Sequence, residues 1–485
     1  MITRLLLMTP ANAAWAEPFL AEVMACGIPV ACLAGASGYL DGCKADVTAW
    51  YAGLAIVTAP GAGDCVVWLA DKPRAVAGVP VVSVGRVAHA LSGVREVARR
   101  ADVTVVTLDL RDAQGVHVLD TRVLSTQRRW HRNREMMRGY AAVMLCDWLQ
   151  RVVQEPKAYA RVVGESEFAS SRIGGGLDVL RYAVCGYARL VAEKGMMLVA
   201  KALRIPRGVW TLALVETQGD NVRFTPLAKP RGVVRADPFV ATFEGKEWLF
   251  FEEYSVLDKA PKGELKCAPL LADGMHGDVI PFLARPYHLS YPQILHDKKR
   301  IFLLAESHAA RRLELLLCLE EQGRPVVDAT PVKVVMENAS VADATFWQNP
   351  DTGERWLFAS LSRTRCVDHA VELHLFKLGS TDGWTPEPHP MNPIVKDCRF
   401  ARCAGAMYVD EQGRLIRPAQ AHRGGVYGAD VHLMEITDIS ANSFAERRVG
   451  GFSPAMAAGF DGVHHVCRLG PGRYLVDARK AWELS

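Results

Sequence analysis

From Trp210 to the C-terminus, short runs of strand-forming residues bounded by Gly, Asp, Asn and Pro recur in pairs, and helical periodicity nearly vanishes. The pairs are 238–243 with 247–252, 293–296 with 300–305, 344–348 with 355–360, 404–409 with 415–418, and 462–469 with 473–477. Units of this kind, each holding a hairpin and a further strand or two over about 270 residues, predict radial repetition, and a five-bladed β-propeller is the natural count.

The layout also predicts a site. Each first strand follows a polar cluster: Arg235-Ala236-Asp237-Pro238, His288-Leu289-Ser290-Tyr291-Pro292, Ala342-Asp343-Ala344, Phe400-Ala401-Arg402-Cys403 and Asp461-Gly462-Val463-His464-His465. The innermost strands of a propeller converge on its axis, so these clusters should face one another in one funnel. They contain carboxylates able to serve as acid, base or nucleophile, with hydroxyl, imidazole, guanidinium and amide groups that can hold sugar hydroxyls. Asp237, Glu306 and Asp343 are the candidate catalytic residues, although each taken alone could be an ordinary turn or strand-cap carboxylate. Glu252, His288, Tyr291, Arg402, Arg417, Gln420, Tyr427, Asp430 and His465 form the candidate substrate-binding ring. An Arg fork there suits an anionic or nucleotide-linked sugar. Arg402 and Arg417 could instead staple blades together through Asp343, Asp430 or Glu306.

At 485 residues the chain exceeds one ordinary core, and its first third reads differently. Apolar runs at 2–8, 28–33, 65–69, 79–84 and 103–108 alternate with helical or turn-rich stretches, with a helix expected over 13–26, as in a parallel α/β sheet. Met137, Tyr140, Val143, Met144, Trp148 and Val152 form one stripe of a helix over 134–153. The expected organisation is an α/β, Rossmann-like domain over 1–153, a helical connector over 154–208, in which Ile173-Gly174-Gly175-Gly176 is a turn, and the propeller over 209–485.

Composition narrows the function classes. Fifty-seven Lys+Arg against 53 Asp+Glu give a net charge of +4 with no long run of one sign, so nucleic acid is not implied. No apolar stretch reaches the roughly 18 residues of a membrane span. The 12 Cys include no C-x-x-C pair, which fits reduced thiols and a cytoplasmic location. No fingerprint for NAD, PLP or structural zinc occurs, no metal ligand set is predicted, and a cofactor stays unassigned.

Residues 209–480 resemble the N-terminal domain family named after plant glucosamine inositolphosphorylceramide transferase, also found in bacterial proteins and similar to the five-bladed propellers of family 43 glycoside hydrolases. The stretches that carry the resemblance are Ala236-Asp237-Pro238-Phe239, Leu249-Phe250-Phe251-Glu252-Glu253-Tyr254, Tyr287-His288-Leu289-Ser290-Tyr291-Pro292, Ala305-Glu306-Ser307 and Val341-Ala342-Asp343-Ala344-Thr345. They continue with Trp384-Thr385-Pro386, His389-Pro390-Met391-Asn392-Pro393, Arg402-Cys403-Ala404-Gly405, Arg417-Pro418-Ala419-Gln420 and Tyr427-Gly428. The resemblance implies a general base at Asp237, with Asp343 and Glu306 as the orienting carboxylate and the proton donor. Carboxyl groups about 5 Å apart would favour a retaining path, and roughly 6.5–9.5 Å an inverting one.

Bacterial members of that family carry upstream a region similar to a worn formyltransferase domain, and residues 1–153 fit its layout. Formyl transfer in that superfamily needs an Asn-His-Asp set and a His-Pro-Ser-type loop, whereas this region holds only His89, His117 and His131, none followed by Pro. A binding, scaffolding or subunit-contact role is expected there. The leading functional expectation is glycosyl transfer or hydrolysis in the funnel, in polysaccharide, glycoconjugate or specialised-metabolite biosynthesis, on a sugar or sugar-nucleotide substrate. The alternatives are acyl or formyl transfer to an amino sugar by the N-terminal domain, and a non-catalytic glycan- or protein-binding propeller. Homo-oligomerisation stays open.

Overall fold

The computed structural model describes residues 2–483 except 3, 10–13, 34–42, 59, 61–63, 71–73, 75, 77–78, 85–86, 162–173, 220, 298, 364–367 and 380–382. The chain divides into two compact units, Met1–Ala192 with Arg363–Val367, and Glu193–Ser362 with Asp368–Ser485.

The N-terminal unit is built on a seven-stranded mixed sheet. Its strands are β1 (Arg4–Met8), β2 (Val30–Leu33), β3 (Ile56–Val57), β4 (Asp64–Trp68), β5 (Val81–Val84), β6 (Val103–Asp112) and β7 (Gly115–Ser125). The order is β3-β2-β1-β4-β5-β6-β7, parallel as far as β5 and antiparallel from there. Leu5, Leu6 and Leu7 of the interior strand β1 are all buried, as a parallel strand covered on both faces requires. Helices α1 (Glu17–Ala25), α2 (Ala45–Ala52) and α3 (Val94–Arg99) lie between strands, and α4 (Trp130–Gln154) follows β7. The stripe Met137, Tyr140, Val143, Met144, Trp148 and Val152 is buried along α4, as its spacing predicts. β7 was not anticipated, because its first half, Gly115–Val118, is exposed and alternates too weakly to read as a strand. Beyond α4 come α5 (Gly176–Arg181) and α6 (Tyr187–Ala202), with Gly175 and Gly176 opening α5; Ile173 of the expected turn lies outside the described residues.

The second unit is a five-bladed β-propeller of four-stranded antiparallel sheets. It opens with β8 (Arg207–Gln218) and β9 (Asn221–Pro226). Blade one is β10 (Val233–Phe243), β11 (Lys246–Ser255), β12 (Glu264–Pro269) and β13 (Ile280–Leu283); blade two is β14 (Ser290–Asp297), β15 (Arg300–Glu306), β16 (Arg312–Glu321) and β17 (Arg324–Glu337). Blade three is β18 (Ser340–Gln348), β19 (Arg355–Ser362), β20 (Leu373–Leu378) and β21 (Pro386–Pro388); blade four is β22 (Tyr408–Val409), β23 (Leu415–Arg423), β24 (Val426–Ile439) and β25 (Phe444–Phe452). Blade five joins β26 (Gly462–Gly470) and β27 (Arg473–Trp482) to β8 and β9. The ring is thus closed by hydrogen bonds between its two chain ends, β27 lying on β8 from Arg473↔Glu216 to Trp482↔Arg207. Glu483 extends the clasp, accepting from Lys229 Nζ at 2.7 Å and the Gly232 amide at 2.6 Å.

The hairpins fall where the pairing pattern predicts, with one shortening. In blade four the first strand reduces to Tyr408–Val409 plus an isolated Cys403–Ala419 bridge, because Gly405 takes φ +134°. The first strand of blade five carries a bulge between Val463/His465, and three further blades carry one at the hub end, between Ala236/Phe239, Ser290/Gln293 and Ala342/Thr345. The residues at those three bulges, Asp237, Tyr291 and Asp343, adopt left-handed φ of +54°, +50° and +46°. Such a conformation costs a non-Gly residue of order 1–3 kcal/mol and persists only where the surroundings impose it. Its effect is to turn these side chains from the blade face toward the axis.

A candidate active site at the propeller hub

A cavity of ≈ 240 Å³ sits over the bulges, and all five blades contribute to it. Blade one supplies Val234, Ala236, Asp237, Glu252 and Tyr254, and blade two Ser290, Glu306 and His308, with His288 from the loop before it. Blade three supplies His369, from the loop between β19 and β20, Arg402 and Tyr427 come from blade four, and Trp210 and His464 from blade five.

Asp477 on β27 organises one wall. Fully buried, it accepts the backbone N–H groups of Asp237 (3.0 Å), His464 (3.1 Å) and His465 (2.9 Å), and its Oδ1 lies 2.8 Å from His464 Nδ1. The other ring nitrogen of His464, Nε2, is 3.2 Å from Asp237 Oδ1. Both nitrogens therefore face carboxylates, the geometry of an imidazolium. Burial would lower its pKa, but Asp477 and Asp237 push it up to about 10. Burial likewise opposes ionisation of Asp237, yet the imidazoles of His464 and His465, 3.2 and 3.5 Å from its Oδ1, hold its carboxyl far below the usual range. Asp237 Oδ2 accepts the Tyr291 amide at 3.0 Å, which ties bulge one to bulge two. The ligand atoms of Asp237, His464 and Asp477 lie within 4.8 Å of one another, so this set could take a cation, but only if His464 gave up its proton.

Glu252 occupies the opposite kind of environment. It pairs with Ala236 in the β10–β11 ladder, which sets it beside Asp237, and it is 6% exposed. The Gly263 amide donates to His288 Nδ1 at 2.9 Å, so the proton of the neutral ring is on Nε2, which reaches Glu252 Oε1 at 3.0 Å. Burial, reinforced by the Asp237 charge and opposed by His288, pushes Glu252 up to about 7. Gly263 is obligatory for this approach: a Cβ there would meet Glu252 Oε1 and the Leu289 carbonyl oxygen, both at 2.5 Å.

Arg402 governs the third wall. Its Nε contacts Asp343 Oδ2, its Nη2 lies 3.5 Å from Glu306 Oε2, and its guanidinium carbon is 5.2 Å from the centre of the Tyr427 ring. Gln420 Nε2 donates to Asp343 Oδ2 at 2.8 Å, and the Asp343 amide to Glu306 Oε2 at 3.1 Å. Burial would raise the Glu306 pKa, but the His308 hydrogen bond at 2.9 Å and the Arg402 charge hold it at about 2. Asp343 is pushed up by burial, with Arg402 opposing and Glu306 reinforcing.

Of the expected site residues, Asp237, Glu306, Glu252, His288, Arg402 and Tyr427 line the cavity. Asp343, Gln420, Tyr291 and His465 lie behind it as supports. Tyr291, for instance, spends its hydroxyl on Thr345 Oγ1 (2.7 Å) and the Gly405 amide (2.9 Å). Three expectations are corrected. Arg417 is fully buried inside blade four, held by Glu446 at 2.9 and 2.6 Å and by the Phe400 carbonyl at 2.7 Å, because the pleat turns it away from the axis. Its stapling partner is thus Glu446, not Asp343, Asp430 or Glu306. Asp430 pairs with Arg423 at 2.8 Å and lines a different cavity. The proton-donor role expected of Glu306 also fails to match its environment, since an ion-paired carboxyl at about 2 holds no proton to give near neutrality. Sequence reasoning passed over Trp210, Tyr254, His308, His369 and Asp477 as site residues, and it did not select His464 from its own cluster. Asp477 carries no local signal, whereas the adjacent His464-His465 at a blade start was a usable one.

The family described as "Glucosamine inositolphosphorylceramide transferase 1, N-terminal" matches residues 224–455. Two rice proteins named glucosamine inositolphosphorylceramide transferase 1, from the japonica and indica subspecies, are each 28% identical over 214 residues, 44% of this chain and 27% of theirs. The chain thus aligns with little more than a quarter of those relatives' length. Solved structures similar to it include a family 117 glycoside hydrolase from Zobellia galactanivorans, with 14% identity, 56% of this chain and 90% of that one, and a TM-score of 0.35. An exo-β-1,3-galactanase from Phanerochaete chrysosporium has 10% identity, coverage of 50% and 60%, and a TM-score of 0.34. The stretch matched by the family spans the hub residues from Asp237 to Tyr427 but excludes β8 and β26–β27, which supply Trp210, His464 and Asp477.

Proposed function

We propose that the hub is the active site of a carbohydrate-active enzyme that transfers or hydrolyses a glycosyl group, with Glu252 as proton donor and Asp237 as the ionised partner. The observation that carries this is the opposite perturbation of two neighbouring carboxyls in one cavity, Asp237 held ionised and Glu252 raised to about 7. Opposed environments of this kind are what acid and base roles require of two carboxyls. In the step proposed, Glu252 protonates the departing glycosidic oxygen as the C–O bond breaks. Asp237 faces the developing oxocarbenium charge and either takes the proton of an incoming water or acceptor hydroxyl, or bonds the anomeric carbon itself. His288 holds the Glu252 carboxyl, and Trp210 and Tyr427 line the cavity in which a sugar would sit.

The names of the plant relatives support transfer over hydrolysis and an amino sugar as the group moved. The order β3-β2-β1-β4-β5 supports reading the N-terminal unit as Rossmann-like, and its formyltransferase likeness and a binding or scaffolding role are parts of this proposal. A cytoplasmic biosynthetic setting belongs to the same proposal. The test is a panel of aryl glycosides and sugar nucleotides assayed with wild type, Glu252→Gln and Asp237→Asn. Turnover should fall about 10²–10⁴-fold in each variant, and the anomer formed by the wild type distinguishes the two roles of Asp237. Turnover of every active substrate at wild-type rate in both variants would remove the pair from the mechanism.

One observation favours a second reading, a hub that binds a glycan without reacting it. Asp237, Glu306 and Asp343 all have cationic or imidazole partners, as expected of carboxylates that only shape a binding surface. Saturable binding of a glycan by calorimetry, with no turnover of it in any assay, would establish that reading instead.

A further inference from the structure

The β23–β24 hairpin of blade four stands between two cavities. Tyr427 lines the hub, while Arg423, on the strand before the turn, lines a second cavity of ≈ 420 Å³. That volume falls within the roughly 300–1,000 Å³ typical of small-molecule sites. Three guanidiniums line it, Arg399, Arg423 and Arg448, against a single lining carboxylate, Asp430.

The three are not equivalent. Arg399 is oriented by Asp397, at 3.0 Å from Nε and 2.6 Å from Nη2, and lies 5.1 Å over the Phe400 ring. Arg423 leans on Asp430 through Nε at 3.0 Å and Nη2 at 2.8 Å. Arg448, exposed, has no carboxylate within ion-pair distance among the described residues and makes only a long contact, 3.4 Å, from Nε to the Gly450 carbonyl. Its charge is therefore available to a ligand.

A second polar group in the same cavity also lacks a partner. His432 packs its ring against Phe400 with centroids 5.1 Å apart, and its Nδ1 is buried without a hydrogen bond. Burial and the charge of Arg448 push its pKa down to about 4, so the ring is neutral at pH 7. A buried polar atom of this kind is normally satisfied, and here the available space lies within the cavity. Phe400 and Phe452 complete the lining with apolar surface.

We propose that this cavity binds a phosphate monoester of a sugar or nucleoside, with the phosphoryl oxygens on Arg448 and a ligand hydroxyl on His432 Nδ1. An Arg fork matches phosphate geometry, and a bare ion would leave both the aromatic surface and the histidine unused. The site is separate from the hub and stands whether or not the hub is catalytic.

Isothermal titration of the full chain with glucose 1-phosphate, UMP, inorganic phosphate and glucose tests it. Saturable binding of at least one ester, tighter than inorganic phosphate and absent for glucose, is expected, weakening as salt is raised. Arg448→Gln, on an exposed residue, should keep the wild-type melting temperature and lose about tenfold or more in affinity, the effect of one charge-assisted hydrogen-bonding group. His432→Phe should lose affinity for the esters and not for inorganic phosphate, and Asp237→Asn should bind like wild type. Failure of every ester to bind at millimolar concentration overturns the proposal, as does affinity unchanged in Arg448→Gln. Inorganic phosphate binding as tightly as the esters overturns the assignment of an ester, and loss of binding in Asp237→Asn would place the ligand in the hub instead.

Discussion

His464 lies between two buried carboxylates, and that arrangement should make the stability of the propeller depend on alkaline pH. The folded pKa is about 10 against an ordinary 6.5. At about 1.36 kcal/mol per pKa unit, an upward shift of that size is worth up to roughly 5 kcal/mol. Because the folded value is the higher one, the contribution is fully present below pH 6.5 and is lost progressively as pH rises from there to about 10. The perturbation is His464→Gln, which keeps a hydrogen-bonding side chain and removes the titration. Urea unfolding followed at several pH values between 6.5 and 10 should show the wild-type midpoint falling steeply and the variant's changing much less. Trp210 supplies a local probe, since its ring centre is 4.1 Å from that of His464. A change in its emission should accompany deprotonation and be missing from the variant. Parallel midpoint curves for the two proteins across this range would refute the reasoning, because the carboxylates would then not be holding a proton on His464.

Three further outcomes follow from the same geometry. If Glu252 is the proton donor, turnover should decline above pH 7, where its carboxyl ionises, and kcat against pH should lose that limb in Glu252→Gln. Gly263→Ala places a methyl 2.5 Å from both Glu252 Oε1 and the Leu289 carbonyl, so the melting temperature should drop by the equivalent of about 1–3 kcal/mol and turnover should fall with it. Arg417→Ala strands Glu446 inside blade four and should destabilise by about 3–5 kcal/mol in denaturant unfolding, whereas Arg417→Met with Glu446→Leu should recover much of that loss.

How far the sequence could be read depends on the range of the interactions involved. Hairpins are local: alternating strand formers and turn residues such as Gly245 and Gly323 specify them within a dozen positions, and the five pairs appear where that pattern puts them. Ring closure is not local. β8 and β9 have ordinary strand composition, and only their pairing with β27, more than 200 positions along the chain, makes them the outer strands of blade five. Asp477 was overlooked for the same reason, being one of several charged residues in its strand until its partners arrive from β10 and β26.

The amino-acid order by itself determined the number of repeating units and the polar clusters that begin them, because side-chain period and turn chemistry act between near neighbours. Tertiary structure decided which members of those clusters reach the axis and in what charge state. Arg402 and Arg417 are the same residue type 15 positions apart, yet Arg402, in the bend before β22, reaches the hub, while Arg417, on β23, turns into its own blade. Asp237 and Glu252 are both buried carboxyls, yet one meets His464, which arrives from β26 only when the ring closes, and the other His288, brought by the packing of blade two on blade one.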